Sequence, residues 1–384
     1  MADLVFAERL FTGDEMVANA LISIEDGLIS SIDILRNGQE PPDPAKRAPI
    51  VAPGFIDIQI NGGCDLQFTD VPTLECVRAI ADAARCGGTA HVLPTFTTAP
   101  GTKYLKALAA VSSAIQANEP GILGMHLEGP FLSPKRPGIH DPNNIRPVTS
   151  QDVENLVAFK DGKLLVTLAP EAQDEGIVQS LCDQGVITFA GHSDATAQDI
   201  HRAQQSGLSG ATHLFNAMSQ TTGRAPGVVG SVLASDTLFA GIIADGHHVS
   251  WENVKIASRV MPDRLCLVTD AMQTLEGELA EFHIHGKTVR LVEGRIADDY
   301  GTLAGAHVHM DQCVQNMIHH VGTDPEIALK MASKNPASAL GLSHELGRVA
   351  EGFRASLTLL RSDYSACGVI VDGDHFGASK SILS

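Results

Sequence analysis

Cations, aromatic rings and paired cysteines are the scarce features of this chain, and each scarcity closes off a class of function. Lys and Arg total 27 against 45 Asp and Glu, for a net charge of -18. That balance argues against the basic patches that hold nucleic acid or an anionic membrane surface. One anionic small molecule, by contrast, needs only a few well-placed cations. Aromatics make up 4% of the residues while Gly numbers 36, as suits the close packing of strands and helices in an α/β architecture. The seven cysteines (Cys64, Cys76, Cys86, Cys182, Cys266, Cys313, Cys367) form an odd set with no CxxC pair. Structural disulfides and a zinc finger are therefore not expected, and a reducing compartment fits. No apolar run approaches the ~18 residues needed to span a membrane. The opening MADLVFAERLFTGDE carries acidic residues where a secretory leader would need an apolar stretch. The expectation is a soluble, cytoplasmic protein.

What is present has two textures. Residues 1–50 alternate in strand fashion, LVFAERLFTG and then ALISIEDGLISSID, with Asp26-Gly27 as a hairpin turn. The Pro-rich QEPPDPAKRAP (39–49) reads as a linker or an excursion to the next domain. From Ile50 onward, short apolar runs alternate with helical stretches, the signature of repeated βα units. Eight such runs are present: 54–60, 88–94, 122–128, 164–170, 186–192, 210–215, 239–245 and 265–270. Helices are predicted over 73–86, 102–117 and 194–207. The expected architecture is a (β/α)8 TIM-type barrel over 51–344, with a small β-sandwich built from 1–50 and 345–384. After the eighth run, EFHIHGKTVRLVEGRIADDYG reads as a hairpin turning at Glu293-Gly294, followed by helical stretches over 307–321 and 325–340.

Four runs stop on side chains that bind or serve a divalent metal: Glu128, His192, His213 and Asp270. In a closed parallel barrel all strands end on one rim, so residues distant in sequence converge there. Two imidazoles, one carboxylate ligand and a second carboxylate beside the metal suffice for a water-activating hydrolytic site. Any one of the four could be a satisfied core residue; four at strand ends in one chain point to chemistry. The first run ends on Gln59 and Asn61, and neutral amides are poor metal ligands. The fourth ends in Leu168-Ala169-Pro170, with Lys163 at the opposite end, so no lysine is available to bridge two metals. A one-metal site is expected. His283, His285, His307, His309, His319 and His320 read as surface, structural or capping residues, and His91 as a core or supporting one.

In order along the chain, PGFIDIQING, HLEGPF, GIHDPNNIR, GHSDAT, THLFNAM, GRAPG, DGHHV, LVTDAM and LAGA resemble the N-acetylglucosamine-6-phosphate deacetylases of the amidohydrolase superfamily. Most of that superfamily carries HxH where Gln59 and Asn61 stand. The resemblance covers nearly the whole chain and implies removal of the acetyl group from an amino-sugar phosphate, in amino-sugar catabolism and cell-wall recycling. It implies one divalent cation per subunit, zinc first and iron(II) second, on Glu128, His192 and His213. Asp270 would be the acid/base, with His140 assisting at the oxyanion. Substrate contacts would come from Gln59, Asn61, Ile139, His140, Asn216, Ala217, Arg224, Asp245, Gly246, His247, His248, Leu303, Ala304 and Gly305. A homodimer is implied, with Arg224 serving its own or its neighbour's site, and no nucleic acid or membrane as partner. Departures are small: Ala306 after LAG, His247 before the second histidine, and GFRASL (352–357) near the end. The rivals are the same chemistry on N-acetylgalactosamine 6-phosphate, a deaminase or cyclic-amide hydrolase, and an inert binding barrel. The second usually keeps HxH, and the third has no use for the four strand-end residues.

Overall fold

The structure, a computed structural model, describes residues 3–377 apart from Asn37 and Pro44. Residues 1–2 and 378–384 of the expected terminal unit lie outside the described residues. Eight parallel strands succeed one another around a barrel: Phe55–Ile60, Thr89–Thr97, Gly124–Glu128, Lys163–Leu168, Ile187–Ala190, Gly210–Ala211, Phe239–Ile242 and Leu265–Leu267. They coincide with the eight apolar runs. The circuit closes where the Asp270 amide donates to the Gln59 carbonyl and the Asn61 amide to the Ala271 carbonyl, both at 2.8 Å. The first three strands are buried along their whole length, because helices cover one face and barrel side chains fill the other. Helices Leu74–Cys86 and Ala197–Gln205 start where Thr73 and Thr196 accept from backbone amides, the latter in a capping box with Asp199.

Beneath the strand ends lies a polar layer that the apolar reading of the strands passes over. His126 Nε2 meets Thr167 Oγ1 at 2.7 Å, and Thr167 Oγ1 meets Thr212 Oγ1 at 2.5 Å, all fully buried. A buried polar group is tolerated when each is paired with the next, and this chain links three strands just below Glu128, His192 and His213.

Both ends of the chain meet in one unit. It takes the form of a single seven-stranded sheet ordered 374–377, 366–371, 357–360, 46–53, 3–11, 16–25 and 28–34. Val5, Leu10, Ile22, Leu357 and Ile370 give it a core of its own. The Pro-rich stretch ends inside this sheet, since Lys46–Pro53 is a strand that runs on into the barrel.

A second sheet covers the barrel mouth: Glu281–Ile284, Lys287–Val292, Arg295–Asp298 and Leu303–Ala306, all antiparallel. The Glu293-Gly294 turn is as predicted. The turn at His285-Gly286 and the fourth strand are not, because His-Gly lacks the Asn-Gly or Asp-Gly hairpin signal. Phe282, Ile284, Val289 and Ile296 pack with Ile139 and Met272 from the barrel loops, which seats the sheet over the strand ends. The last helical region is also more broken than its pattern: Met310–Asn316 continues as a π-helical turn over Met317–Val321, and a break at Ser333 separates Pro325–Ala332 from Lys334–Ala339.

The long loop after Glu128 is tied down at its far end. Arg146 donates to both oxygens of buried Asp152 at 2.5 and 2.8 Å, and Tyr104 adds a hydroxyl at 2.7 Å. Burial alone would raise the Asp152 pKa, but hydrogen bonds from Arg146, Thr149 and Tyr104 outweigh it and hold it below the ordinary 3.8. The charged form therefore stabilises the fold. Its contribution is fully present above about pH 4 and fades as the pH falls toward the lowered folded value. Asp152→Asn is expected to cost about 2–3 kcal/mol at neutral pH, the scale of lost hydrogen bonds to a charge. Urea unfolding at pH 7 and at pH 3 should show the gap to wild type narrowing in acid.

Candidate active site

Glu128 is the last residue of its strand, and His192, His213 and Asp270 follow theirs by two or three residues. The latter three have left-handed backbone, with φ of 47°, 32° and 50°. Such a conformation costs an ordinary residue on the order of 1–2 kcal/mol. It turns each side chain off the strand path, and strain of this kind collects at functional sites.

The result is a tight cluster. Glu128 Oε1 lies 3.2 Å from His192 Nε2 and 2.9 Å from His213 Nε2, and the two imidazole nitrogens are 3.1 Å apart. His192 Nδ1–H donates to the Arg136 carbonyl at 3.0 Å, so its Nε2 turns a lone pair toward the cluster. A supporting bond of this kind is the usual second layer around a metal-binding histidine. Three ligands at ~2.0–2.1 Å from one tetrahedral ion would stand roughly 3.4 Å apart, close to the spacing found. A divalent cation fits this donor set. His140 also places a ring nitrogen within 4.8 Å of a Glu128 carboxylate oxygen and a His192 ring nitrogen. Its Nδ1, however, is engaged by Thr98 Oγ1 at 2.8 Å, and the atoms of Glu128, His192 and His213 lie closer together, which makes these three the tighter candidate set.

Asp270 stands beside this cluster and is not part of it. Asn61 Nδ2 donates to its Oδ1 at 2.6 Å, and Gln59 Nε2 lies 3.2 Å from the same oxygen and 3.1 Å from Glu128 Oε2. These two amides are therefore occupied in holding carboxylates. Burial, then the nearby Glu128 charge, raises the Asp270 pKa to about 6. Burial, followed by the adjacent His192, pushes His140 well below its ordinary value, which keeps it neutral.

A cavity of about 400 Å³ opens onto these groups. Of the residues expected to contact substrate, Asn61, Ile139, His140, Asn216, Ala217, His248, Leu303, Ala304 and Gly305 line it. Others are placed elsewhere. Gln59 sits behind the carboxylates. Asp245 supports His248, accepting from its Nδ1–H at 2.7 Å and from two backbone amides, while Gly246 packs on Trp251. His247 lines a separate cleft with Arg290 and Glu293. Arg224 is exposed and is not among the residues lining its own chain's cavity.

Several lining residues were not anticipated. Lys135 and Arg136 follow HLEGPF as a basic pair, the one signal that could have marked them. Arg136 is paired with Asp194 at 2.8 Å. Met272 and Ile284 come from the interface with the mouth sheet. His285, read from sequence as a surface or structural residue, lines the cavity instead, because the hairpin that carries it folds over the rim. Two glycines are required by close approach. A Cβ on Gly138 would lie 3.1 Å from His192 Cε1, and one on Gly305 would lie 2.8 Å from the Asp270 carbonyl.

A parallel barrel carrying this cluster at its C-terminal rim defines a metal-dependent hydrolase. Residues 50–375 match the Amidohydrolase family, and the chain belongs to it. It is 35% identical over 323 residues to the N-acetylglucosamine-6-phosphate deacetylase of Haemophilus influenzae, covering 83% of this chain and 84% of that one. It is 36% identical over 373 residues to the N-acetylgalactosamine-6-phosphate deacetylase of a Shewanella species, covering 95% and 94%. The crystal structure of N-acetylglucosamine-6-phosphate deacetylase from Pasteurella multocida superposes with a TM-score of 0.92 at 31% identity, covering 97% of this chain and all of that one. No helix among the described residues is long and apolar enough to cross a membrane.

Proposed function

We propose that this chain hydrolyses the acetamide of N-acetylglucosamine 6-phosphate, giving glucosamine 6-phosphate and acetate. The observation that carries this is one cavity holding both a His2Glu donor set and a carboxylate gripped by two amides, in a chain related to deacetylases along most of its length. The identities to a gluco and a galacto enzyme, 35% and 36%, do not rank the epimers, so N-acetylgalactosamine 6-phosphate is the second reading.

An amide resists hydrolysis because water is a weak nucleophile and an amine a poor leaving group. A divalent cation on Glu128, His192 and His213 would supply Lewis acidity to the carbonyl and acidify water. We take it to be zinc, for which two histidines and one glutamate form a familiar catalytic set, with iron(II) second. Asp270 takes a proton from the attacking water and returns it to the departing nitrogen. A pKa near 6 leaves both of its forms accessible around neutrality. With the Thr98 hydroxyl donating to Nδ1, His140 offers Nε2–H to the developing oxyanion. His248, fixed by Asp245, and the backbone near Asn216 and Ala217 take the phosphate. Acetate release from a panel of N-acetyl hexosamines of both epimers, with and without 6-phosphate, tests the assignment. Turnover confined to unphosphorylated sugars, or absent throughout, would refute it.

Arg224 completes this reading, together with a cytoplasmic homodimer. Exposed outside its own cavity, it is assigned to the phosphate in a neighbouring subunit, where its fork of donors matches phosphate oxygens. Arg224→Ala is expected to weaken kcat/KM for the phosphorylated sugar by about 2–4 kcal/mol and to leave the unphosphorylated one nearly unchanged. Mixed dimers of Arg224→Ala and Asp270→Asn subunits should recover activity, since one of the two sites regains both residues. No recovery in demonstrably mixed dimers would place the arginine in its own subunit's site.

A further inference from the structure

We propose that His285 is a positioning residue for His140, delivered to the cavity by a hairpin tip of the mouth sheet. This role rests on the one given to His140 above. His285 and Gly286 form the two-residue turn between Glu281–Ile284 and Lys287–Val292, and both have positive φ, 50° and 76°. A turn with that backbone favours Asn or Asp before Gly. Histidine is tolerated at this backbone without being the turn's preferred residue, which leaves room for a role beyond the turn itself.

The ring supplies one. It stacks on His140 with centroids 5.4 Å apart and planes 22° apart, and its Nε2 lies 3.5 Å from Thr97 Oγ1. His140 is otherwise held at one edge by Thr98 and packed edge-on against His192, centroids 4.4 Å apart. Those two contacts leave a face of the His140 ring open, and His285 covers it. Burial pushes the His285 pKa down to about 4, so two neutral rings meet without charge repulsion. Ile284, adjacent in sequence, is packed with Ile139 in the core between sheet and barrel, which anchors the tip next to the residue it supports. The Glu293-Gly294 turn of the same sheet has matching backbone but lines a different cleft; of these two turns, the histidine one reaches this cavity.

The test compares His285→Asn with His285→Phe in the metal-loaded enzyme. Asn suits the turn and removes the ring, so Tm should hold or rise while kcat falls about tenfold and KM stays within about twofold. Phe restores a flat ring without nitrogens and should bring kcat back to within about threefold of wild type. Unchanged kcat in the Asn variant, or no recovery with Phe, would overturn the role. NMR of histidine-labelled protein supplies a readout that needs no substrate. The His140 ring signal, assigned by its loss in His140→Gln, should shift or broaden in His285→Asn and return in His285→Phe. A His140 signal that ignores both substitutions also overturns the role. An enzyme that releases no acetate would sink the proposed function alone, since the ring signal still decides this contact.

Discussion

Asp270→Asn is expected to lower kcat by roughly 100-fold or more while leaving the metal in place. The substitution keeps the size of the side chain and an oxygen for the Asn61 and Gln59 amides to bond, so the local structure has no cause to collapse. What it removes is a group able to accept a proton from water and pass it on. Steady-state kinetics with elemental analysis of the same preparation separates the two effects. Near-normal turnover would mean that another group moves the proton. Loss of metal together with activity would mean that Asp270 is a ligand, contrary to its place beside the cluster.

The second large effect belongs to the cluster itself. His192→Ala or His213→Ala removes one of three donors and should weaken metal affinity by well over ~100-fold, more than the 10–100-fold typical of losing only a supporting partner. Purified variants should carry far less than one metal per chain and show no measurable deacetylation. Wild type should carry one. Two metals per chain would contradict the amide-occupied positions at Gln59 and Asn61, whose side chains are already committed to Glu128 and Asp270.

Much of this was legible in the chain because barrel strands announce themselves. A strand buried on both faces is a short apolar run, and a ligand-type residue at its end breaks that run visibly, as at GMHLE and LCLVTD. All eight strands were found this way, and the four strand-end residues do converge. Gln59 was expected at the substrate but is occupied behind it, since a sequence gives a residue's rim and not the partner its amide selects. His285 was set aside because alternation places it at a hairpin tip, where exposure is the ordinary outcome. The direction in which a hairpin folds is set by Ile139, Met272 and Ile284 packing together across more than a hundred residues of chain.

The sequence by itself determined the barrel, the rim on which chemistry collects and the identity of the strand-end donors. Local period, apolar runs and residue type are properties that neighbours in the chain share. Only the tertiary structure decided that the unit joining the two terminal segments is one sheet and not a sandwich, that the mouth sheet lends His285 to the cavity, and that Arg224 stands outside it. Those outcomes depend on distant side chains competing for the same apolar surface, and no local pattern records which of them wins.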